Sequence, residues 1–174
     1  MNKYTDSQTL LTEAQAELAI TERLRSHLWS RPGFLIRRLH QIHDALFLED
    51  CAQEGITPVQ HGILTVLLNR PWMDQSSISQ ELGLDRTNTA DVVKRLEEKK
   101  LVKRQVNPND KRSRQVYITP YGIELMKQLR PKMQRSQDRL IAPLTEEEKV
   151  GFMRLMIKIV EVINNYGRAV LKTM

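Results

Sequence analysis

The sequence of 174 residues lacks the features that mark several classes of protein. Its single cysteine, Cys51, cannot form an internal disulfide, which argues against a disulfide-stapled secreted domain. No apolar run approaches the roughly 18 residues that a membrane-spanning helix needs. The first residues also lack the apolar stretch of an export signal. We therefore expect a cytoplasmic protein with no membrane partner.

Glycine, proline and aromatic residues are also scarce, at seven, seven and nine residues. This scarcity favours a helical protein, and the 40% of hydrophobic residues is enough to build a core. The sequence contains no glycine-rich phosphate loop, no nucleophile elbow and no metal-binding helix motif. We therefore expect neither an enzyme nor a bound cofactor.

Positive charge is concentrated in one segment of the chain. Residues 86–114 contain ten Lys and Arg residues against four Asp and Glu, whereas the other 145 residues carry 17 of each. The formal net charge of +6 therefore belongs to under a fifth of the chain. A basic patch of this kind is typical of a surface that binds a polyanion, although many such runs are only solvated helix faces.

Apolar periodicity and capping residues predict seven helices. In the last of them, Phe152, Leu155, Met156, Ile159, Val160 and Ile163 are expected to face inward, and the helix before it is expected to bend or break near Pro131. The predicted ranges are about 9–29, 33–53, 58–69, 75–82, 86–99, 120–141 and 146–172.

The middle of the chain predicts a winged helix. The helices at 75–82 and 86–99 are separated by Gly83-Leu84-Asp85, which is typical of a helix-turn-helix. Strands at 101–106 and 115–118 follow, joined by a turn, and form a β-hairpin. The predicted fold is therefore mainly α with a small β-hairpin wing. Helical dimerisation segments at 1–54 and 121–174 flank a winged helix-turn-helix domain at 55–120.

Several segments in this order resemble the MarR family of bacterial transcription regulators. They are Ile56-Thr57-Pro58-Val59-Gln60, Ser77-Ile78-Ser79-Gln80-Glu81-Leu82-Gly83-Leu84, Val93 to Val102, Asn109-Asp110-Lys111-Arg112-Ser113-Arg114, Ile118 to Gly122 and Leu144 to Glu148. The family usually has glycine where this chain has Lys100. Residues 31–43 look like the members that control the catabolism of aromatic acids.

The resemblance implies a homodimer whose recognition helices enter successive major grooves of a pseudo-palindromic DNA operator. Arg86 is suited to a bidentate contact with guanine and Asn88 to one with adenine, while Lys94 and Arg95 lie nearer the phosphates. Hydroxyl groups could contact phosphates or only cap helices. The expected DNA-contacting residues of the helix-turn-helix are Ser76, Ser77, Arg86, Thr87, Asn88, Thr89, Lys94 and Arg95.

The wing is expected to contribute a minor-groove contact. Arg112 at its tip is our choice for that contact, because a narrow minor groove attracts a guanidinium group. Asp110 is expected to pair with an arginine and keep the wing rigid. Arg114 could be that partner or a phosphate contact, and the sequence leaves both open.

In this family, small aromatic anions commonly bind between the dimerisation helices and the winged helix. His40, His43 and Phe47 share a helix face, His61 lies on the next helix, and Arg37 or Arg38 could neutralise a carboxylate. These six residues form the predicted site for an aromatic acid or its coenzyme A thioester. The histidines could equally be interface residues.

Metal binding and redox sensing are weaker alternatives. No cysteine or carboxylate completes a convincing zinc site with the histidines. Cys51 follows Glu49 and Asp50, which disfavour a thiolate, so we expect an inert thiol.

Two other functions remain open besides a ligand-responsive repressor. An enzyme would turn over a substrate. An architectural DNA-binding protein would hold DNA whether or not an aromatic compound is present.

Overall fold

The computed structural model describes residues 15–108 and 110–167. The chain divides into two compact units, whose described parts are residues 15–42 and residues 43–108 with 110–167. Residues 15–24 are helical, and the helices that follow are α1 to α6. Their bounds are α1 Pro32–Asp50, α2 Pro58–Asn69, α3 Gln75–Leu82, α4 Arg86–Glu98, α5 Pro120–Ile141 and α6 Glu146–Val162. Short 3-10 turns occur at Ala52–Glu54 and Asn164–Tyr166. Among the described residues, no helix is both long and apolar enough to cross a membrane.

Three strands form an antiparallel sheet in the order β1-β3-β2. They are β1 Met73–Asp74, β2 Val102–Asn107 and β3 Asp110–Ile118. The β2–β3 hairpin is the predicted wing, with Val102 opposite Ile118 and Arg104 opposite Val116. The predicted fold class, mainly α with a winged helix-turn-helix, is confirmed.

Side chains with local hydrogen bonds explain where the helices start. Thr57 caps α2 in a capping box with Gln60, and Asp74, Asp85 and Thr119 cap α3, α4 and α5 through their side chains. Each accepts a backbone N–H that the first turn of a helix cannot satisfy internally. These caps were readable in the sequence, which is why the predicted starts of these helices agree with the structure.

The core of the second unit lies beneath the helix-turn-helix. Fully buried side chains of α2, α3, α4, the sheet and α5 meet there with Phe47 from the end of α1. They include Ile63, Leu64, Leu67, Ile78, Val93, Leu96, Val102, Val116 and Leu129. Because the core anchors both α4 and the sheet, it fixes the base of the recognition helix and of the wing.

Several predicted boundaries differ from the structure. The first helix ends at residue 24 instead of 29, and the side chain of Ser26 accepts a hydrogen bond from the backbone N–H of Trp29 at 3.2 Å, which competes with the helix. Strand β3 begins at Asp110 instead of residue 115, because backbone pairing extends through the charged segment. Helix α5 continues through Pro131. Strand β1 was not predicted, since two residues carry no periodicity.

The last helix departs most from expectation. Helix α6 ends at Val162, and the described residues beyond it form the 3-10 turn at Asn164–Tyr166; the rest of the predicted range, 168–172, lies outside the described residues. The prediction that its apolar residues face inward is wrong for the single chain, since α6 has no buried residue. Leu155 and Ile159 are each more than half exposed.

Lys100 adopts a left-handed backbone conformation, with φ of +61°. The backbone N–H of Lys100 donates to Glu97 O at 2.8 Å and that of Leu101 to Leu96 O at 3.0 Å, so this residue reverses the chain between α4 and the wing. A side chain in this conformation costs about 1 kcal/mol relative to glycine. Lys100, in place of the glycine expected from the family resemblance, therefore adds strain to the turn but keeps its geometry.

Candidate functional site

The recognition helix α4 presents its polar residues to solvent. Asp85 caps it by accepting from the backbone N–H of Asn88 at 2.7 Å, and Val93 and Leu96 anchor its opposite face in the core. The exposed residues are Arg86, Thr87, Asn88, Asp91, Lys94, Arg95 and Glu98. This arrangement places short polar groups and Arg86 in the first turn, where base edges are reached, and the other cations further along.

Two residues of α4 behave differently from the prediction. Thr89 is fully buried, and its hydroxyl donates to Asp85 O at 2.8 Å, so the structure contradicts a DNA contact by this side chain. The prediction failed because a polar side chain was expected to face DNA, whereas the hydroxyl group of Thr89 bonds to the backbone of its own helix. The side-chain amide of Asn88 donates to Asp85, and a bidentate contact with adenine would require it to leave this partner.

At the start of α3, the hydroxyl group of Ser77 takes part in the helix cap that Asp74 forms. Ser77 donates its hydroxyl proton to Asp74 at 2.8 Å, and its backbone N–H donates to the other oxygen of the same carboxylate at 2.9 Å. The carbonyl of Ser76 accepts from the hydroxyl of Ser79 at 2.8 Å. Ser76 and Ser77 are both half-buried. Of the two roles open from the sequence, the structure shows the capping role for Ser77.

The tip of the wing is organised by Asp110. Its side chain accepts from the backbone N–H of Arg112 at 3.0 Å, and its carbonyl accepts from the hydroxyl of Ser113 at 3.2 Å. Asp110 was expected to hold the wing through an arginine side chain; the bond that the structure shows goes to the arginine backbone instead. The side chains of Arg112 and Arg114 are exposed.

Glu97 joins the last turn of α4 to strand β2. One carboxylate oxygen accepts from the backbone N–H of Arg104 at 3.2 Å, and the other accepts from Nε of Arg104 at 2.7 Å and also contacts its terminal nitrogen. The hydrogen bond from Arg104 holds the pKa of Glu97 below its ordinary value, with a further contribution from the charge of Arg114. The sequence did not single out this pair, because its members are seven residues apart on different elements.

A cavity of about 260 Å³ lies between α2 and α5 in the second unit. His61 contributes an imidazole, and burial lowers its pKa, which favours the neutral ring. Arg130 contributes the cation. It was not among the predicted effector residues, because the segment that carries it was predicted to serve dimerisation. The lining residues are His61, Thr65, Leu68, Met126, Arg130, Met133, Gln134 and Gln137.

The other five predicted effector residues do not line this cavity. Phe47 is fully buried and packs edge-on against His61 at 5.9 Å between ring centroids, so it belongs to the core and does not line the cavity. His43 lies 3.3 Å from Gln137, measured from its Nε2 to the amide nitrogen. Arg37, Arg38 and His40 are exposed on α1, and Arg38 donates to Gln41 at 2.9 Å.

Metal and redox chemistry find limited support in the described residues. On one turn of the continuous helix α1, ligand atoms of His40, His43 and Asp44 lie within 4.8 Å of one another. Asp44 was not predicted as a companion of these histidines, and three ligands from one turn still fall short of a tetrahedral protein set. Cys51 is buried, and burial together with the charge of Glu54 raises its pKa, as expected of an inert thiol.

Comparison with known proteins agrees with this geometry. Residues 54–113 match the model of the MarR family. A protein described as a transcriptional regulatory protein for the hcr operon of Thauera aromatica is 31% identical over 103 residues, which cover 59% of this chain and 62% of that protein's length. The chain therefore spans less than two thirds of this relative.

Two solved structures match more of the chain. The PcaV transcriptional regulator from Streptomyces coelicolor, solved with its natural ligand, is 30% identical and covers 79% of this chain and 94% of its own, with a TM-score of 0.69. BpsR of Bordetella bronchiseptica, whose DNA binding is regulated by 6-hydroxynicotinic acid, is 25% identical, with a TM-score of 0.73. The match covers 77% of this chain and 96% of the BpsR chain. These relatives are regulators and not enzymes. The chain belongs to the MarR family of winged helix-turn-helix transcription regulators.

Proposed function

We propose that this protein is a homodimeric repressor of the cytoplasm that binds a pseudo-palindromic operator. A small aromatic acid, or its coenzyme A thioester, releases the protein from DNA. The observation that carries the proposal is the pairing, within one unit, of an exposed cationic recognition surface with a cavity that holds an imidazole and an arginine. Helix α2 lines the cavity and also packs against α3 and α4. A ligand that moved α2 would therefore move the helix-turn-helix.

The size and chemistry of the cavity favour a single-ring acid. About 260 Å³ is near the lower limit of ligand pockets, which run from roughly 300 to 1,000 Å³. Leu68, Met126 and Met133 offer apolar contact to a ring, Arg130 offers two parallel donors to a carboxylate, and the amides of Gln134 and Gln137 can bind ring hydroxyls. The thioester has no free carboxylate and would extend beyond this volume. The ligands reported for PcaV and BpsR support a small-molecule effector.

Release by an aromatic acid is tested on a DNA duplex that the protein itself selects from a random pool. Benzoate, hydroxybenzoates, hydroxycinnamates and their thioesters are titrated into the complex while DNA affinity is measured. A ligand with a coupling free energy of about 2.7 kcal/mol lowers that affinity about a hundredfold. We expect Arg130→Gln to keep DNA affinity and lose the response. Lys127→Gln removes an exposed cation one turn away on α5 and should keep both.

The outcome of this titration separates the repressor from its main alternative. If no compound changes DNA affinity or thermal stability at millimolar concentration, the protein is a ligand-independent architectural DNA-binding protein. If Lys127→Gln loses the response as fully as Arg130→Gln, the cavity is not the site.

Dimerisation follows from the exposed apolar face of α6. Val150, Met153 and Ile157 line a groove on this helix, and each is at least 44% exposed. An exposed apolar cluster with charged residues beside it is typical of an interface, and a second copy of the chain is its proposed occupant. We expect light scattering at micromolar concentration to give twice the 20.3 kDa of one chain. A monomer under those conditions contradicts the proposed assembly.

A further inference from the structure

The outer edge of the wing is closed by a side chain of the recognition helix. Strand β2 is the edge of the sheet, because the strand order is β1-β3-β2. An edge strand presents backbone N–H groups without a partner strand. The N–H of Arg104 is met by the carboxylate of Glu97, which also accepts from Nε of the same arginine at 2.7 Å.

This contact removes Arg104 from the cations available to DNA. The side chain of Arg104 is 26% exposed and holds the carboxylate through two nitrogens, whereas the neighbouring Lys103 is exposed. Charge-assisted contacts of this geometry are about twice as strong as neutral hydrogen bonds. In the sequence Arg104 is one of ten cations of the basic segment; in the structure it is paired within the protein.

We propose that Glu97 is a positioning residue, and that its clamp on Arg104 fixes the wing relative to the recognition helix so that both read DNA as one rigid body. The inference rests on the proposed function, since it concerns how the two DNA-reading elements are held. From Arg104 the hairpin runs to Arg112, the side chain assigned to the minor groove, while Glu97 lies in the last turn of the helix assigned to the major groove. Preorganising the two elements avoids the entropy cost of ordering the wing on binding.

Two alanine variants separate the clamp from simple electrostatics. Glu97→Ala and Glu98→Ala remove the same charge from adjacent positions of α4, so both change the net charge of the DNA-binding surface by the same amount. Only Glu97→Ala breaks the clamp. The readout is flank preference, which is the affinity ratio between the selected duplex and one with scrambled outer base pairs, where the wing binds. We expect Glu97→Ala to lower this ratio at least threefold and Glu98→Ala to leave it unchanged.

Hydrogen exchange measures the clamp without DNA. In the folded free protein, the amide of Arg104 should exchange at least tenfold faster in Glu97→Ala than in wild type or Glu98→Ala, with the core amides of α2 unchanged. Unchanged exchange at Arg104 would overturn the clamp. Faster exchange with an unaltered flank preference would overturn the positioning role.

Arg104→Gln supplies the remaining control. If Arg104 faces Glu97 in the complex as it does here, this substitution leaves the salt slope of DNA binding unchanged; a slope lower by about one counterion per subunit would make Arg104 a phosphate contact and overturn the inference. A wild-type protein that prefers no DNA sequence would overturn the proposed function and the positioning role with it. The exchange rates would still show whether Glu97 holds the wing.

Discussion

Gly122→Ala should destabilise the protein by about 3 kcal/mol, because the added methyl group has no space. A Cβ at this position would lie 2.3 Å from Leu101 O and 2.8 Å from Cγ1 of Ile118. The carbonyl of Leu101 cannot easily retreat, since it accepts from the backbone N–H of Thr119 at 3.0 Å and from its hydroxyl at 3.2 Å. For a chain of this length the melting temperature should fall by about 6–12 °C.

Gly33→Ala is the matched control for this prediction. Gly33 also lies in the first turn of a helix, α1, and a Cβ there would meet nothing within 4 Å. Alanine has the higher helix propensity, so we expect no loss of stability and a gain of up to about 0.5 kcal/mol. Thermal unfolding followed by circular dichroism measures both variants. Equal melting temperatures for the two would show that the first turn of α5 is not packed against Leu101.

Arg86→Ala should cost roughly 1–3 kcal/mol of DNA-binding free energy per subunit, or about 5- to 150-fold in affinity, on the selected duplex. Arg86 is exposed in the first turn of α4, where a guanidinium can reach the edge of a guanine. The loss should be confined to the base pair that it reads, and affinity for random DNA should change much less. Competition binding against single-base variants of the duplex measures this.

Lys94→Ala is the comparison that separates base recognition by α4 from contact with the DNA phosphates. Lys94 is exposed two turns further along α4 and is expected to contact phosphate. Its removal should weaken binding to all sequences alike and lower the salt slope by about one counterion per subunit. If both substitutions act identically on the selected and the random duplex, the division of roles between Arg86 and Lys94 is wrong.

Local chemistry made much of the fold predictable. The starts of α2, α4 and α5 follow from Thr57, Asp85 and Thr119, because a cap acts on N–H groups two or three residues away and leaves its mark in the sequence. Gly83, which the sequence places in the turn between α3 and α4, is left-handed with a φ of +64°, a conformation that glycine favours at the end of a helix. The basic segment at 86–114 could be identified by counting charged residues along the sequence.

Which residues are buried, and which side chains pair with one another, was harder to predict from the sequence, since both depend on segments far apart in the chain. Thr89 and Arg86 are both polar residues in the first turn of α4, yet one is buried and the other exposed. Phe47 was assigned to a ligand site by helix periodicity, which cannot distinguish a cavity wall from the core behind it. The exposure of α6 shows the same limit, since its periodicity predicted a buried face and no described segment buries one.

The sequence by itself determined the family, the order of the helices and hairpin, and the location of the basic surface, because each depends on residue type and short-range spacing. Only the tertiary structure decided which cations are free. It paired Arg104 with Glu97 across two elements and placed Arg130 and His61 around one cavity from two others. The physical reason is that ion pairs and cavities form between surfaces that the folded core brings together, and no local pattern encodes which surfaces will meet.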